Sequence, residues 1–238
     1  MERPASRPWY EKQMSNPALI ELCNDLSVDP PVRGHIHRPE NSTNDGITLT
    51  HGAGSNSNSP LLIALADSFA GEGFTVLRYD LPFRQNRPFG PPRPGDAARD
   101  REGLKRAIEL LRGQISGRIF LGGHSYGGRQ ASMLCASEPA LVDGLVLFSY
   151  PLHPPRKPAQ LRTQHFPELK IPALFVHGTR DPFGSIHELE VAVELIPAKT
   201  FLTPILGAGH DLGFKGKARA ESLILNVLEK FGSFFQHK

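Results

Sequence analysis

From Gly46 onward, short runs of β-branched and aliphatic residues alternate with longer segments of helical period. This alternation constrains the fold most, because buried strands joined by amphipathic helices build a mostly parallel sheet covered by helices. The predicted strands are Ile47 to His51, Phe74 to Tyr79, Arg118 to Gly122, Leu145 to Phe148, Ala173 to His177 and Thr200 to Ile205, each apolar enough for burial on both faces. Proline cannot donate to a ladder, so the run containing Pro204 is predicted at a sheet edge. Leu62, Leu65, Ala66 and Phe69 make one apolar helical face, and Leu104, Ala107, Ile108 and Leu111 make another. Ser59 before Pro60 marks a helix start, and Gly113 marks a helix end. Ser185 to Glu188 reads as a capping box opening a helix that buries Leu189, Ala192, Val193 and Ile196. A last helix buries Ile224, Val227, Leu228 and Phe231. Before Gly46 the pattern is weaker, with Val32 to His37 predicted as an antiparallel strand in front of the sheet.

A chain of 238 residues supports one sizeable core, so a single domain over residues 1–238 is expected, its first 15 or so residues forming an extended or flexible arm. The net charge of +3 is spread along the chain without a compact Lys/Arg block, which speaks against nucleic-acid binding. Cys23 and Cys135 form neither a disulfide framework nor a metal-spaced pair. A reducing, cytoplasmic setting is therefore expected, with no metal. The segment from Met1 to Ile20 holds three prolines and several charges where a secretory signal needs an unbroken apolar run. Leu61 to Ala66 and Leu145 to Phe148 fall far short of the roughly 20 apolar residues that cross a bilayer, so no membrane association is expected.

Gly123-His-Ser-Tyr-Gly127 lies between a predicted strand ending near Gly122 and a segment able to run as a helix to about Ser137. A sharp strand-to-helix turn holds its serine in a strained conformation and crowds the residues two before and two after, where only small side chains fit. Gly123 and Gly127 meet that need and make Ser125 the candidate nucleophile. A serine hydroxyl needs a histidine to take its proton and a carboxylate to hold that histidine's tautomer. Asp181 follows the strand ending at His177 and is the candidate acid, while His210, in the glycine-bearing loop Leu206 to Gly213, is the candidate base. His51-Gly-Ala-Gly54 follows the first clear strand, where glycines let backbone N–H groups approach a reacting oxygen, so the N–H groups of Ala53 and Tyr126 are the candidate oxyanion donors. No phosphate-binding or dinucleotide fingerprint accompanies these glycines, and no cofactor is expected.

The proline-rich loops Leu81 to Pro94 and Tyr150 to Pro167 both follow predicted strands and are expected to wall the ligand crevice. Arg129, Arg84 and Arg87 are candidates for steering an anionic substrate, and Phe83, Phe183 and Phe214 for lining an acyl pocket. About 25 residues separate Phe148 from the next strand, too few for a helical lid domain.

His51-Gly-Ala-Gly, Gly123-His-Ser-Tyr-Gly, Asp181 and His210 together resemble the α/β-hydrolase superfamily from about Gly46 to the C-terminus. More narrowly, Arg78-Tyr-Asp-Leu-Pro-Phe83, Gly127-Gly-Arg129, Tyr150-Pro-Leu-His-Pro-Pro155 and Gly178-Thr-Arg-Asp-Pro-Phe-Gly184 resemble a compact group of testis-expressed-hydrolase-like proteins near the dienelactone hydrolases. The chain departs from dienelactone hydrolases in having Ser125 where those use cysteine. The resemblance implies a sheet of about seven or eight strands and a serine hydrolase acting on a small-molecule carboxylic ester or thioester. Some eukaryotic members of the compact group look like noncatalytic subunits of chromatin complexes, so the rival reading is a hydrolase-like binding module without activity. Acyl transfer or cofactor-free peroxidation on the same three residues is a further alternative.

Overall fold

The computed structural model describes residues 18–214 and 217–235. The expected N-terminal arm lies outside these residues. Eight strands form one sheet in the order β1-β2-β4-β3-β5-β6-β7-β8: β1 is Leu19–Asp25, β2 Val32–Arg38, β3 Gly46–Thr50, β4 Thr75–Tyr79, β5 Ile119–His124, β6 Gly144–Phe148, β7 Ala173–Gly178 and β8 Thr200–Ile205. β1 pairs antiparallel with β2, and β2 antiparallel with β4, while β3 to β8 run parallel. The predicted strands from Ile47 onward all form, with their ends moved by a residue or two. Pro204 sits in β8 at the edge, where it disturbs only the outermost pairing.

The helices are α1 (Pro60–Gly71), α2 (Pro82–Asn86), α3 (Asp96–Arg112), α4 (Tyr126–Ser137), α5 (Ile186–Val193) and α6 (Lys217–Phe235). Ser59 caps α1 by accepting from the Leu62 N–H, with Pro60 just inside, and the Ser185/Glu188 capping box opens α5. Side chains alternate across the strands, and this divides the core into two layers. Leu121, Leu145, Leu147 and Phe175 pack with α3, α4 and α5 on one face, while Ile47, Leu49, Phe120 and Val146 pack with α1 and α6 on the other. Phe231 of α6 lies edge-on to Phe69, Phe74 and Phe120, with ring centroids 5.0, 5.4 and 5.0 Å away.

This two-sided arrangement determines where a ligand crevice opens. The helix after β3 covers one face and the helix after the adjacent β5 covers the other, so the loops leaving these strands part at their carboxyl ends. The loop His51 to Gly54 and the residue Ser125 both lie at that point. Ser149 to Pro172, between β6 and β7, contains only a 3-10 turn at Phe166–Glu168, so no helical domain covers the crevice from this side.

Candidate active site

Ser125 stands between β5 and α4 at φ 52° and ψ −117°, a left-handed conformation that an L-residue adopts only under constraint. The constraint is close packing of the turn on itself. A Cβ added at Gly123 would lie 2.5 Å from the Gly128 nitrogen, and one at Gly127 would lie 2.5 Å from the His51 carbonyl oxygen. The Ser125 N–H donates to the Phe148 carbonyl at 2.8 Å and its own carbonyl accepts the Arg129 N–H at 3.0 Å, so strand and helix grip the turn from both ends.

His210 and Asp181 converge on this turn from separate loops. His210 Nε2 lies 2.7 Å from Ser125 Oγ, and His210 Nδ1 lies 2.7 Å from Asp181 Oδ2. A carboxylate accepts, so the imidazole proton sits on Nδ1 and leaves Nε2 free to accept the serine hydroxyl. The Asp181 side chain is fully buried, and its other oxygen accepts the Phe183 N–H at 2.9 Å. His177 Nε2 donates to the Gly184 carbonyl at 2.8 Å and closes the loop that carries Asp181. The Phe183 ring lies 4.2 Å from the His210 ring, centroid to centroid, tilted by 32°.

Two further histidines hold the neighbouring backbone. His51 Nε2 accepts the Leu81 N–H at 3.1 Å, which leaves the proton on Nδ1 to donate to the Gly52 carbonyl at 2.9 Å. Burial keeps the His51 pKa below its ordinary value and so keeps the ring neutral. His124 Nε2 donates to the His210 carbonyl at 2.8 Å. Burial pushes the His124 pKa down to about 4, so this ring is a neutral tether of the His210 loop at neutral pH.

Gly52 abuts the serine, for a Cβ there would stand 3.3 Å from Ser125 Cβ. The turn beyond it is closed by the Ser55 N–H donating to the Gly52 carbonyl at 3.1 Å. Among the described residues, neither the Ala53 nor the Tyr126 N–H has a protein acceptor, and Tyr126 opens α4, where the first N–H groups are unpaired by construction. Both N–H groups, one directly after Gly52 and one directly after Ser125, are therefore free donors.

The arginines and phenylalanines singled out from the sequence divide between two roles. Arg84 is buried, and its guanidinium donates to the carbonyls of Ser55, Ala53, Gly90 and Arg87 at 2.7, 2.8, 3.0 and 3.2 Å. It braces the glycine turn from behind and is not available to steer a substrate. Arg87 is engaged by Asp96 at 2.6 Å. Phe83 is only 2% exposed and packs on the His51 and Tyr126 rings, supporting the turn without facing solvent. Phe214 packs against the core layer under α1 and α6. Of the three phenylalanines, Phe183 alone is in ring contact with the serine–histidine–aspartate set, and Arg129 stays partly exposed on the first turn of α4.

Sequence reasoning passed over Asp80, which accepts the Ser57 N–H at 2.7 Å and its hydroxyl at 2.9 Å, and Asp100, whose carboxylate accepts the Tyr126 hydroxyl at 2.6 Å. The available signal for Asp80 was its place directly after a strand. Nothing local marked Asp100, which acts across α3 and α4.

Residues 43–234 match the family model described as an alpha/beta hydrolase domain. The chain belongs to this family. Among solved structures, a dienelactone hydrolase from Anabaena variabilis is 22% identical, with 92% of this chain and 100% of that chain covered at a TM-score of 0.73. An alpha-beta serine hydrolase homologue from Coxiella burnetii is 18% identical over 88% of this chain and 97% of that one, at 0.64. A serine hydrolase without a lid from Xanthomonas campestris is 12% identical over 93% and 94%, at 0.61. In each case the similarity covers most of the chain. Among the described residues, no helix is long and apolar enough to cross a membrane, and no group of three or more His, Cys, Asp or Glu side chains is placed to hold a metal ion.

Proposed function

We propose that the chain is a serine hydrolase of carboxylic esters or thioesters that works through an acyl-Ser125 intermediate. The observation that carries this reading is the continuous hydrogen-bonded line from Ser125 Oγ to His210 Nε2 and from His210 Nδ1 to Asp181 Oδ2, both links 2.7 Å. His210 takes the hydroxyl proton as Ser125 Oγ attacks the substrate carbonyl carbon, and Asp181 stabilises the imidazolium that forms. The carbonyl oxygen becomes an oxyanion held by the Ala53 and Tyr126 N–H groups, a contact in which each donor contributes roughly 3 kcal/mol to the barrier. Collapse of the tetrahedral intermediate breaks the bond to the alcohol or thiol, which leaves with the proton from His210. Water, deprotonated by His210, then attacks the acyl carbon and releases the acid and Ser125. The relatives' names, a dienelactone hydrolase and two serine hydrolases, support the reaction class.

A fluorophosphonate probe and a panel of p-nitrophenyl esters of rising acyl length test this directly. Labelling and ester turnover are expected in the wild type, and neither in Ser125→Ala. Absence of Ser125-dependent labelling would overturn the enzyme reading and favour a binding module. Labelling without turnover of any ester in the panel would favour transfer to another acceptor or a substrate outside the panel.

A further inference from the structure

A guanidinium group is rarely buried without a counter-charge, because desolvating it is costly unless it is paired. Three of them gather beside the candidate active site, all partly exposed: Arg101 on α3, Arg129 on α4, and Arg162 in the loop after β6. Arg101 Nη1 donates to Gln130 Oε1 at 2.9 Å, and Arg162 Nη1 to the Pro151 carbonyl at 3.2 Å. The hydroxyl of the buried Tyr150 donates to the Arg162 carbonyl at 2.6 Å. Ser132, one turn beyond Arg129, has its hydroxyl 2.8 Å from Nε2 of His165. All these partners are neutral.

Among the described residues, no carboxylate forms an ion pair with any of the three arginines. Asp100, whose charge is felt by Arg101, already accepts the Tyr126 hydroxyl at 2.6 Å and the Phe83 N–H at 2.9 Å. Arg129 Nε is buried and reaches no acceptor at all. Uncompensated positive charge is felt by the neighbours: burial and then the Arg129 charge hold the Arg162 pKa below its usual value, and burial followed by Arg129 and Arg101 pushes His165 down to about 4.

We propose that Arg129, Arg162 and Arg101 form an oxyanion subsite that takes a carboxylate or phosphate group carried by the ester or thioester substrate. Placement ties the cluster to the reaction. Arg129 is one helical turn beyond Ser125, with about 6 Å between such positions on a helix surface, and follows Tyr126 by three residues on α4. The loop that supplies Arg162 and His165 also touches the acid loop, where the His153 N–H donates to the Phe183 carbonyl at 3.0 Å. A short acyl chain with its carbonyl on Ser125 therefore reaches the guanidinium groups, whose planar forks suit two-oxygen acceptors. The buried Nε of Arg129 would gain the acceptor it lacks.

This inference rests on the Ser125 reading, and the test separates the two. Fluorophosphonate labelling of the wild-type protein reports on Ser125 alone. p-Nitrophenyl glutarate, with a terminal carboxylate, is compared with p-nitrophenyl valerate of equal acyl length, and inorganic phosphate and free glutarate are tested as competitors of valerate hydrolysis. The wild type is expected to favour the glutarate ester by about tenfold or more in kcat/KM at low ionic strength. That ratio falls toward one in Arg129→Gln and in Arg162→Gln and is partly restored in Arg129→Lys. Stronger competition by phosphate than by glutarate assigns the subsite to a phosphate group, and the reverse order assigns it to a carboxylate. Should Arg129→Gln fail to fold, Arg162→Gln carries the comparison. Labelling with a wild-type ratio near one and no competition by either anion overturns the subsite alone, as does a ratio that neither substitution changes. Absent labelling overturns the Ser125 reading beneath it.

Discussion

Glycines serve opposite ends on the two sides of the candidate site. Around Ser125 they allow contact: a Cβ at Gly123 would press on the Gly128 nitrogen and one at Gly127 on the His51 carbonyl oxygen, each at 2.5 Å. Around His210 they stand in open space, for a Cβ at Gly207 would meet nothing within 4 Å and one at Gly209 only Asp211 Oδ1 at 3.9 Å. The Ser125 turn is therefore positioned by exclusion, whereas the His210 loop, apart from its close approach to Gly178, is held by tethers. Those tethers are the His124 bond to the His210 carbonyl, the Arg180 N–H to the Ala208 carbonyl at 2.8 Å and the Gly207 N–H to Thr179 Oγ1 at 2.8 Å.

The contrast breaks first at Gly123. In Gly123→Ala the new methyl faces the Gly128 nitrogen and the Gly127 carbonyl carbon, at 2.5 and 2.6 Å, and neither belongs to a flexible side chain. Relief requires the first turn of α4 to move away, which shifts Ser125 and the Tyr126 N–H together. A displacement near 1 Å lowers rates about a hundredfold, so kcat/KM is expected to fall by at least that much. Overpacking should also cost about 1–3 kcal/mol or more of stability. Ester assays and thermal melts measure both; near wild-type values in each would mean that the turn is looser than its packing indicates.

The same distinction explains what was legible in the sequence. The Ser125 turn is a local backbone requirement written in adjacent residues, and its fold context follows from apolar strands such as Leu145 to Phe148, buried on both faces. By contrast, β1 carries Leu19, Ile20 and Leu22 exposed at 62, 48 and 77%, so its apolar residues do not mark an inner face and its place is set by pairing with β2. α2 was hidden within a proline-rich segment because Pro82 starts that short helix instead of breaking a longer one. Arg84 looked like a surface charge, since its four carbonyl acceptors lie in a turn some 30 residues earlier and in its own loop. Tethers of this kind depend on tertiary contacts, and no spacing rule announces them.

His124 tests the tethered side with a smaller effect. His124→Ala removes the donor to the His210 carbonyl while leaving Ser125, His210 and Asp181 in place, so kcat is expected to fall about tenfold with a lesser change in KM. The substitution also has a pH signature. Burial lowers the His124 pKa to about 4, opposed by its bond to the His210 carbonyl; the His210 charge lowers it further, and the Asp181 and Asp211 charges raise it. An unfolded chain protonates this ring near pH 6.5, so between about 6.5 and 4 the unfolded state binds more protons. Stability from His124 neutrality is thus present above that window and is lost as pH falls through it. Melting temperature should decline less steeply on acidification in His124→Ala, and His165, also pushed down to about 4, retains part of the slope. An unchanged slope would remove His124 from the set of neutral tethers.

The smallest effect is expected at Gly207, the open counterpart of Gly123. Its φ of +71° is left-handed, so alanine there bears the backbone penalty of roughly 1–2 kcal/mol without a clash. The bond from its N–H to Thr179 survives the substitution. Gly207→Ala should therefore lower the melting temperature by a few degrees, about 2–4 °C per kcal/mol for a chain of this size, and reduce kcat less than threefold. A loss as large as that at Gly123 would mean that the base loop, too, is positioned by its backbone conformation, and the division between exclusion and tethering would no longer hold.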